Sequence, residues 1–256
     1  MGEVTPLFIF GMGRSGTTSA LRVLIAHPAV MLNGEFPLAV MKRFFDLLDG
    51  VENSYGGNDA TGEAWRSRKS EFMFDSFGYL SKGGRGQLRK IPGARFRGHK
   101  TPRHETLFDR YESHFGSVGL RPRYFYCARN PFDCWRSYRA VAWNNHETVG
   151  SFLAQYMESF AWLERMQDRA AGRVAVLDLD SLIASADPVS WYRTAVFEPL
   201  GLDVPEKVAQ RIGKIGGERD ATPSRELDGA ERRTIRDHPG MAALIARLSA
   251  GRYISA

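Results

Sequence analysis

LFIFGMGRSGTT, Leu7–Thr18, runs from a short apolar stretch into a glycine-spaced turn and then into the helical-looking SALRVLIAH. The apolar run predicts a buried strand, and the turn predicts a strand-to-helix junction. Gly11, Gly13 and Gly16 are expected to give the backbone positive φ and a close approach to a ligand. A helix opening near Gly16 then aims unsatisfied N–H groups at an anion. The plain alternative is a glycine turn that holds nothing.

The stretch nearly spells the nucleoside-triphosphate loop G-x-x-x-x-G-K-[ST], but Thr17 stands where that loop has lysine. The cation that reaches β- and γ-phosphates is therefore missing. Arg14, Ser15, Thr17 and Thr18 still offer donors to a smaller anion. RYFYC, Arg123–Cys127, reads as a second buried strand, and it leads into Ala128-Arg129-Asn130-Pro131. Pro131 suits the first turn of a helix. Arg129 then sits at a strand's C-terminal end, and Ser137 lies about two helical turns further on, where its hydroxyl can share an anion with the arginine.

The pair GMGRSGTT and ARNPFDCWRSY resembles the two nucleotide-binding signatures of sulfotransferases that use 3′-phosphoadenosine 5′-phosphosulfate (PAPS). The resemblance implies that Gly13, Arg14, Ser15, Gly16, Thr17 and Thr18 hold the 5′-phosphosulfate and that Arg129 and Ser137 bind the 3′-phosphate. His27-Pro28 and Gly34-Glu35 extend the likeness to tyrosylprotein and several bacterial sulfotransferases, in which a glutamate follows the loop at similar spacing. Glu35 is accordingly the expected general base, since transfer of a sulfuryl group to a hydroxyl requires removal of its proton. The alternative for Glu35 is a residue flanking the next helix. RFRGHKT, Arg95–Thr101, reads as a third strand; the cytosolic branch of the family has Lys-x-His there, and this chain has Lys100 without the histidine. Lys100 and Arg14 are expected to stabilise charge on the sulfuryl group and leaving phosphate. His99 and His104 stand as substitute bases.

At 256 residues and 43% apolar composition the chain is expected to form one domain, 1–256. Alternating strands and helices, with both signatures at strand ends, predict a three-layer α/β architecture with a central parallel sheet. A net charge of +6 suits anionic ligands, but the basic residues are scattered, and no nucleic-acid signature accompanies them. Two cysteines, Cys127 and Cys134, no basic-then-apolar leader and no long apolar run predict a soluble cytoplasmic protein that is not a membrane partner. No carboxylate, His or Cys cluster suggests a metal.

Further helices are expected at 36–48, 63–80, 103–115, 131–143 and 148–171, with glycine-rich breaks at 49–62 and 83–86. The aromatics Trp65, Phe72, Phe74, Phe77 and Tyr79 are assigned mainly to packing. RVAVLDL, Arg173–Leu179, predicts another strand whose Asp178 and Asp180 imitate a magnesium-binding strand end; a small-molecule kinase is one alternative and a non-catalytic nucleotide-binding module another. The tail from 203 reads as polar and basic, with Lys214, Arg219 and Arg225, and lacks the Arg-Lys-Gly tripeptide with which cytosolic members clamp the 3′-phosphate. The acceptor, whether small molecule, carbohydrate or peptide, and a homodimer both stay open.

Overall fold

The computed structural model describes residues 4–55, 60–80, 93–142, 146–217 and 226–249. Five parallel strands, β1 (Thr5–Gly11), β2 (Val30–Asn33), β3 (Phe96–Lys100), β4 (Arg123–Ala128) and β5 (Val174–Asp178), form one sheet in the order β2-β3-β1-β4-β5. β1, β4 and β5 are short, mainly apolar runs, β3 buries Arg97, His99 and Lys100 among its five residues, and the strands are buried on both faces, as a sheet covered by helices requires. Successive side chains point to opposite sides. Phe8, Phe10, Tyr124 and Tyr126 therefore enter one core, while Leu7, Ile9, Phe125 and Cys127 enter another.

The first core is covered by α2 (Leu38–Tyr55), α3 (Ala60–Leu80), α4 (Phe108–Gly116), α5 (Pro131–Arg139) and α6 (Val149–Arg169), the last through Phe152, Tyr156, Phe160 and Leu163. The second is covered by α1 (Thr17–Leu24), α7 (Leu179–Ala184) and α8 (Pro188–Tyr192), then a π turn at Arg193–Phe197 and a 3₁₀ turn at Glu198–Leu200, and by α9 (Glu206–Gly217). The result is the three-layer parallel α/β architecture expected from the sequence.

Two expectations change. The glycines after Leu48 do not end the second helix, which runs on to Tyr55. Gly50 lies on its outer face with nothing near, so the helix bears only the roughly 1 kcal/mol that glycine costs in an exposed turn. The tail is not merely polar: α9 buries Ile212 and Ile215 in the second core, while α10 (Gly229–Arg236) and α11 (Met241–Ser249) bury Ile235, Met241, Leu244 and Leu248 in the first. Its charges occupy outer faces and masked the amphipathic spacing. The glycine-rich flanks at 56–57 and 83–86, and Arg219 and Arg225, lie outside the described residues.

The strand order places a switch point between β1 and β4. From β1 the chain returns through α1 toward β2, whereas from β4 it returns through α5 and α6 toward β5. The two connections diverge, leaving a crevice beyond the carboxyl ends of β1 and β4, where open α/β sheets bind ligands.

Candidate active site

The turn after β1 is shaped by three backbone facts. Gly11 and Gly16 adopt φ of 124° and 93°, and Arg14 takes the left-handed φ of 66° that a residue with a side chain seldom adopts. Gly13 is required for a different reason than expected. Its φ is not positive, but a Cβ there would stand 2.0 Å from the Tyr138 hydroxyl. Gly16 is the N-cap of α1, no side chain caps that end, and the first turn holds no acid. The N–H groups that open α1 are thus left to a ligand or solvent.

Across the crevice, Pro131 occupies the first turn of α5 and Asn130 is its N-cap, accepting the Asp133 N–H at 2.9 Å. Asp180 holds this corner from β5's end: it accepts the Asn130 N–H at 2.6 Å and the Asn130 Nδ2 at 2.9 Å. Burial pushes the Asp180 carboxyl up. Asp178 caps α7, accepting the Asp180 N–H at 3.0 Å and the Ser181 hydroxyl at 2.5 Å. Both acids that resembled magnesium ligands are therefore occupied in building the corner. Among the described residues no group of three or more His, Cys, Asp or Glu side chains is placed to hold a metal ion.

The two signatures meet. Arg14 Nε donates to Ser137 Oγ at 2.8 Å, although 123 positions separate them, and Arg129 donates to the Arg14 carbonyl at 3.4 Å. The Arg129 carbonyl is itself fixed by the Tyr156 hydroxyl at 2.6 Å. The crevice between them encloses about 510 Å³, and Arg14, Arg22, Arg129 and Arg136 line it against one acid, Asp133. Asp133 is already paired with Arg136. Arg129 Nε is buried without a hydrogen-bond partner, the condition of a cation awaiting an anion. An uncapped helix start, four arginines and an orphaned guanidinium nitrogen fit a ligand carrying phosphate-type groups at two ends.

Of the residues singled out in the sequence, Arg14, Gly16, Thr17, Thr18, Arg129 and Ser137 line this cleft. Ser15 behaves differently. Its side chain is buried and its hydroxyl donates to the Met12 carbonyl at 2.5 Å, so it stiffens the turn from within. Glu35 and Lys100 lie at the far end of Thr18: Lys100 donates to Thr18 Oγ1 at 3.2 Å and is paired with Glu35. Lys100 is buried while Glu35 is 58% exposed, so the lysine faces inward and the carboxylate faces whatever approaches from solvent.

The two histidines are not available as bases. His99 and His104 are fully buried, their rings turned into the first core, and each meets the Tyr111 hydroxyl, at 2.7 and 3.1 Å. Burial drives the His99 imidazole well below its ordinary range and His104 down to about 3. Arg22 and Arg136 were missed. Arg22 follows Thr18 by one helical turn and Arg136 adjoins Ser137, so helical spacing placed both at the cleft.

A family model described as "Sulfotransferase family" matches residues 6–203. The chain belongs to the sulfotransferase family. Among solved structures, the sulfotransferase from Alicyclobacillus acidocaldarius is similar to it over 100% of this chain and 98% of its own, at 18% identity and a TM-score of 0.54. The sulfotransferase domain of the Synechococcus PCC 7002 olefin synthase is similar over the same shares of each chain, at 16% identity and a TM-score of 0.53. At such identities these likenesses concern the fold. No curated protein sequence matches the chain. No helix among the described residues is long and apolar enough to cross a membrane.

Proposed function

We propose that the chain, acting as one domain, transfers the sulfuryl group of PAPS to a hydroxyl or amine of a small-molecule, carbohydrate or peptide acceptor. The observation that carries this reading is the junction of Arg14, Ser137 and Arg129, where two signatures distant in sequence border one cleft. The donor supplies an activated sulfuryl group whose S–O bond to the 5′-phosphate breaks as a new S–O bond to the acceptor forms. The start of α1, with Thr17 and Thr18, binds the 5′ end, and Arg129 and Ser137 bind the 3′-phosphate. Glu35 takes the acceptor's proton, its exposed carboxylate being oriented by Lys100. Lys100 and Arg14 offset the negative charge that passes to the leaving phosphate. Two buried free cysteines, both thiols pushed up to about 12 by burial, suit a reducing cytoplasm.

Thermal-shift titration with 3′-phosphoadenosine 5′-phosphate (PAP), ADP and ATP tests the donor assignment. PAP is expected to raise the melting temperature by mass action, with ADP and ATP much weaker. Stabilisation by ATP alone, with magnesium-dependent turnover, would overturn it.

A further inference from the structure

The segment between β3 and α4, Lys100 to Glu105, touches both halves of the site. At one end the Thr101 hydroxyl accepts the Phe36 N–H at 3.3 Å, and Phe36 is the residue directly after Glu35. At the other, the Gly11 peptide, where the donor turn begins, is gripped on both sides. Its N–H donates to the Glu105 carboxylate at 3.2 Å and its carbonyl accepts the Arg103 N–H at 3.0 Å. Glu105 is wholly buried and is held in turn by the Ser159 hydroxyl.

Thr101 does not hang free behind Phe36. Its oxygen lies 3.2 Å from His99 Nδ1, His99 Nε2 lies 2.7 Å from the Tyr111 hydroxyl, and that hydroxyl lies 3.1 Å from His104 Nδ1. Two assignments of protons satisfy every link, and in both Thr101 accepts the Phe36 N–H; the first runs outward from Phe36. The Phe36 N–H donates to Thr101, Thr101 O–H to His99 Nδ1, His99 Nε2–H to Tyr111, and Tyr111 O–H to His104 Nδ1. In the other the roles reverse, His104 Nδ1–H donating to Tyr111, Tyr111 O–H to His99 Nε2 and His99 Nδ1–H to Thr101, so in either case the Thr101 oxygen is tied to His99 and accepts the Phe36 N–H. All five groups are buried. Such a chain polarises and fixes its members more firmly than a solvent-exposed hydroxyl would be fixed.

We propose that Thr101 is a positioning residue for the transfer reaction: anchored through His99, Tyr111 and His104, it fixes the Glu35–Phe36 backbone relative to the donor turn that the same segment grips at Gly11. This rests on the reading of Glu35 as base. Thr101 touches neither donor nor acceptor; it sets where the carboxylate stands.

The test compares Thr101→Val, which removes the hydroxyl and keeps the shape, with Thr101→Ser, which keeps the hydroxyl. In the ligand-free protein, exchange of the Phe36 amide is expected to rise at least about 10-fold in the valine variant and to return in the serine variant. In assays with PAPS and an accepted phenol, kcat is expected to fall about 10- to 100-fold for valine, with PAP affinity within about twofold of wild type, and serine restores it. Thr101→Ala gives the same comparison should the valine variant not fold. Unchanged Phe36 exchange or unchanged kcat would overturn the proposal. Parallel losses of kcat, PAP affinity and melting temperature in both variants would overturn it too, because they describe a merely structural residue. A wild-type protein that shows Phe36 protected by Thr101 but neither binds PAP nor transfers sulfuryl groups refutes the underlying function instead, and removes the proposal with it.

Discussion

Burial separates the paired Glu35 and Lys100, the lysine inside and the carboxylate outside. Glu35→Gln keeps the shape and removes the carboxylate proposed as base, so kcat is expected to fall by about 10² to 10⁴ with PAP affinity nearly unchanged, measured by transfer assay and calorimetry. A loss of affinity equal to the loss of rate would assign Glu35 to donor binding. His104 predicts a pH effect. In the unfolded chain it titrates near 6.5 and in the fold near 3, so between these values the unfolded state binds the extra proton and stability falls as pH falls. Glu105 works the opposite way, since burial raises its carboxyl and the fold retains a proton that the unfolded chain releases. Comparison with His104→Asn isolates the histidine: between pH 6 and 5 the variant's denaturant-derived stability is expected to decline less steeply, by a difference approaching about 1.4 kcal/mol per pH unit. Equal slopes would mean that His104 is protonated in the fold. At this scale Arg14, Thr18, Arg129 and Ser137 were legible because glycines and a proline announce strand-to-helix turns. The inward direction of the Ser15 side chain was not legible, because it depends on a local bond to Met12 that spacing does not encode.

Elements carry the next level. The corner at Asn130 combines an N-cap, a proline in the first turn and a carboxylate from β5's end, so its two interactions separate by a pair of mutations. Asn130→Ala removes the cap and the Nδ2 bond to Asp180 together and is expected to lower global stability by at least about 1 kcal/mol, seen as a shifted urea midpoint with unchanged slope. Asp180→Ala leaves the cap and frees the corner; it is expected to weaken PAP binding through Arg129, and undiminished affinity would show that the corner holds itself. The sequence announced the helix start here through Pro131. It could not announce Asp180, which arrives from 50 positions away and looked like a metal ligand because an apolar strand ending in aspartate serves both purposes. The same limit explains α2: glycines predict breaks only where a turn needs them, and Gly50 is simply tolerated on an outer face. Tyr79, assigned with its aromatic neighbours to packing, is 76% exposed because it lies on the side of α3 opposite Phe77 and Phe74.

For the molecule as a whole, the order β2-β3-β1-β4-β5 matters more than any single contact, because it makes the connections after β1 and β4 part and leaves the crevice between them. Alternating apolar runs revealed a parallel sheet; the order of its strands was not written in those runs, since each strand is buried on both sides and any neighbour would satisfy it. The claim that depends on the order is that both junctions bind one donor. Calorimetric titration of PAP into wild type, Arg129→Ala and a variant altered at the other junction, Thr17→Val, tests this most directly. The account predicts saturable one-to-one binding in wild type, a loss of at least about tenfold in each single variant, and an Arg129→Ala protein that no longer distinguishes PAP from AMP. Undiminished PAP affinity in Arg129→Ala, or equal affinity of the wild type for PAP and AMP, would contradict it.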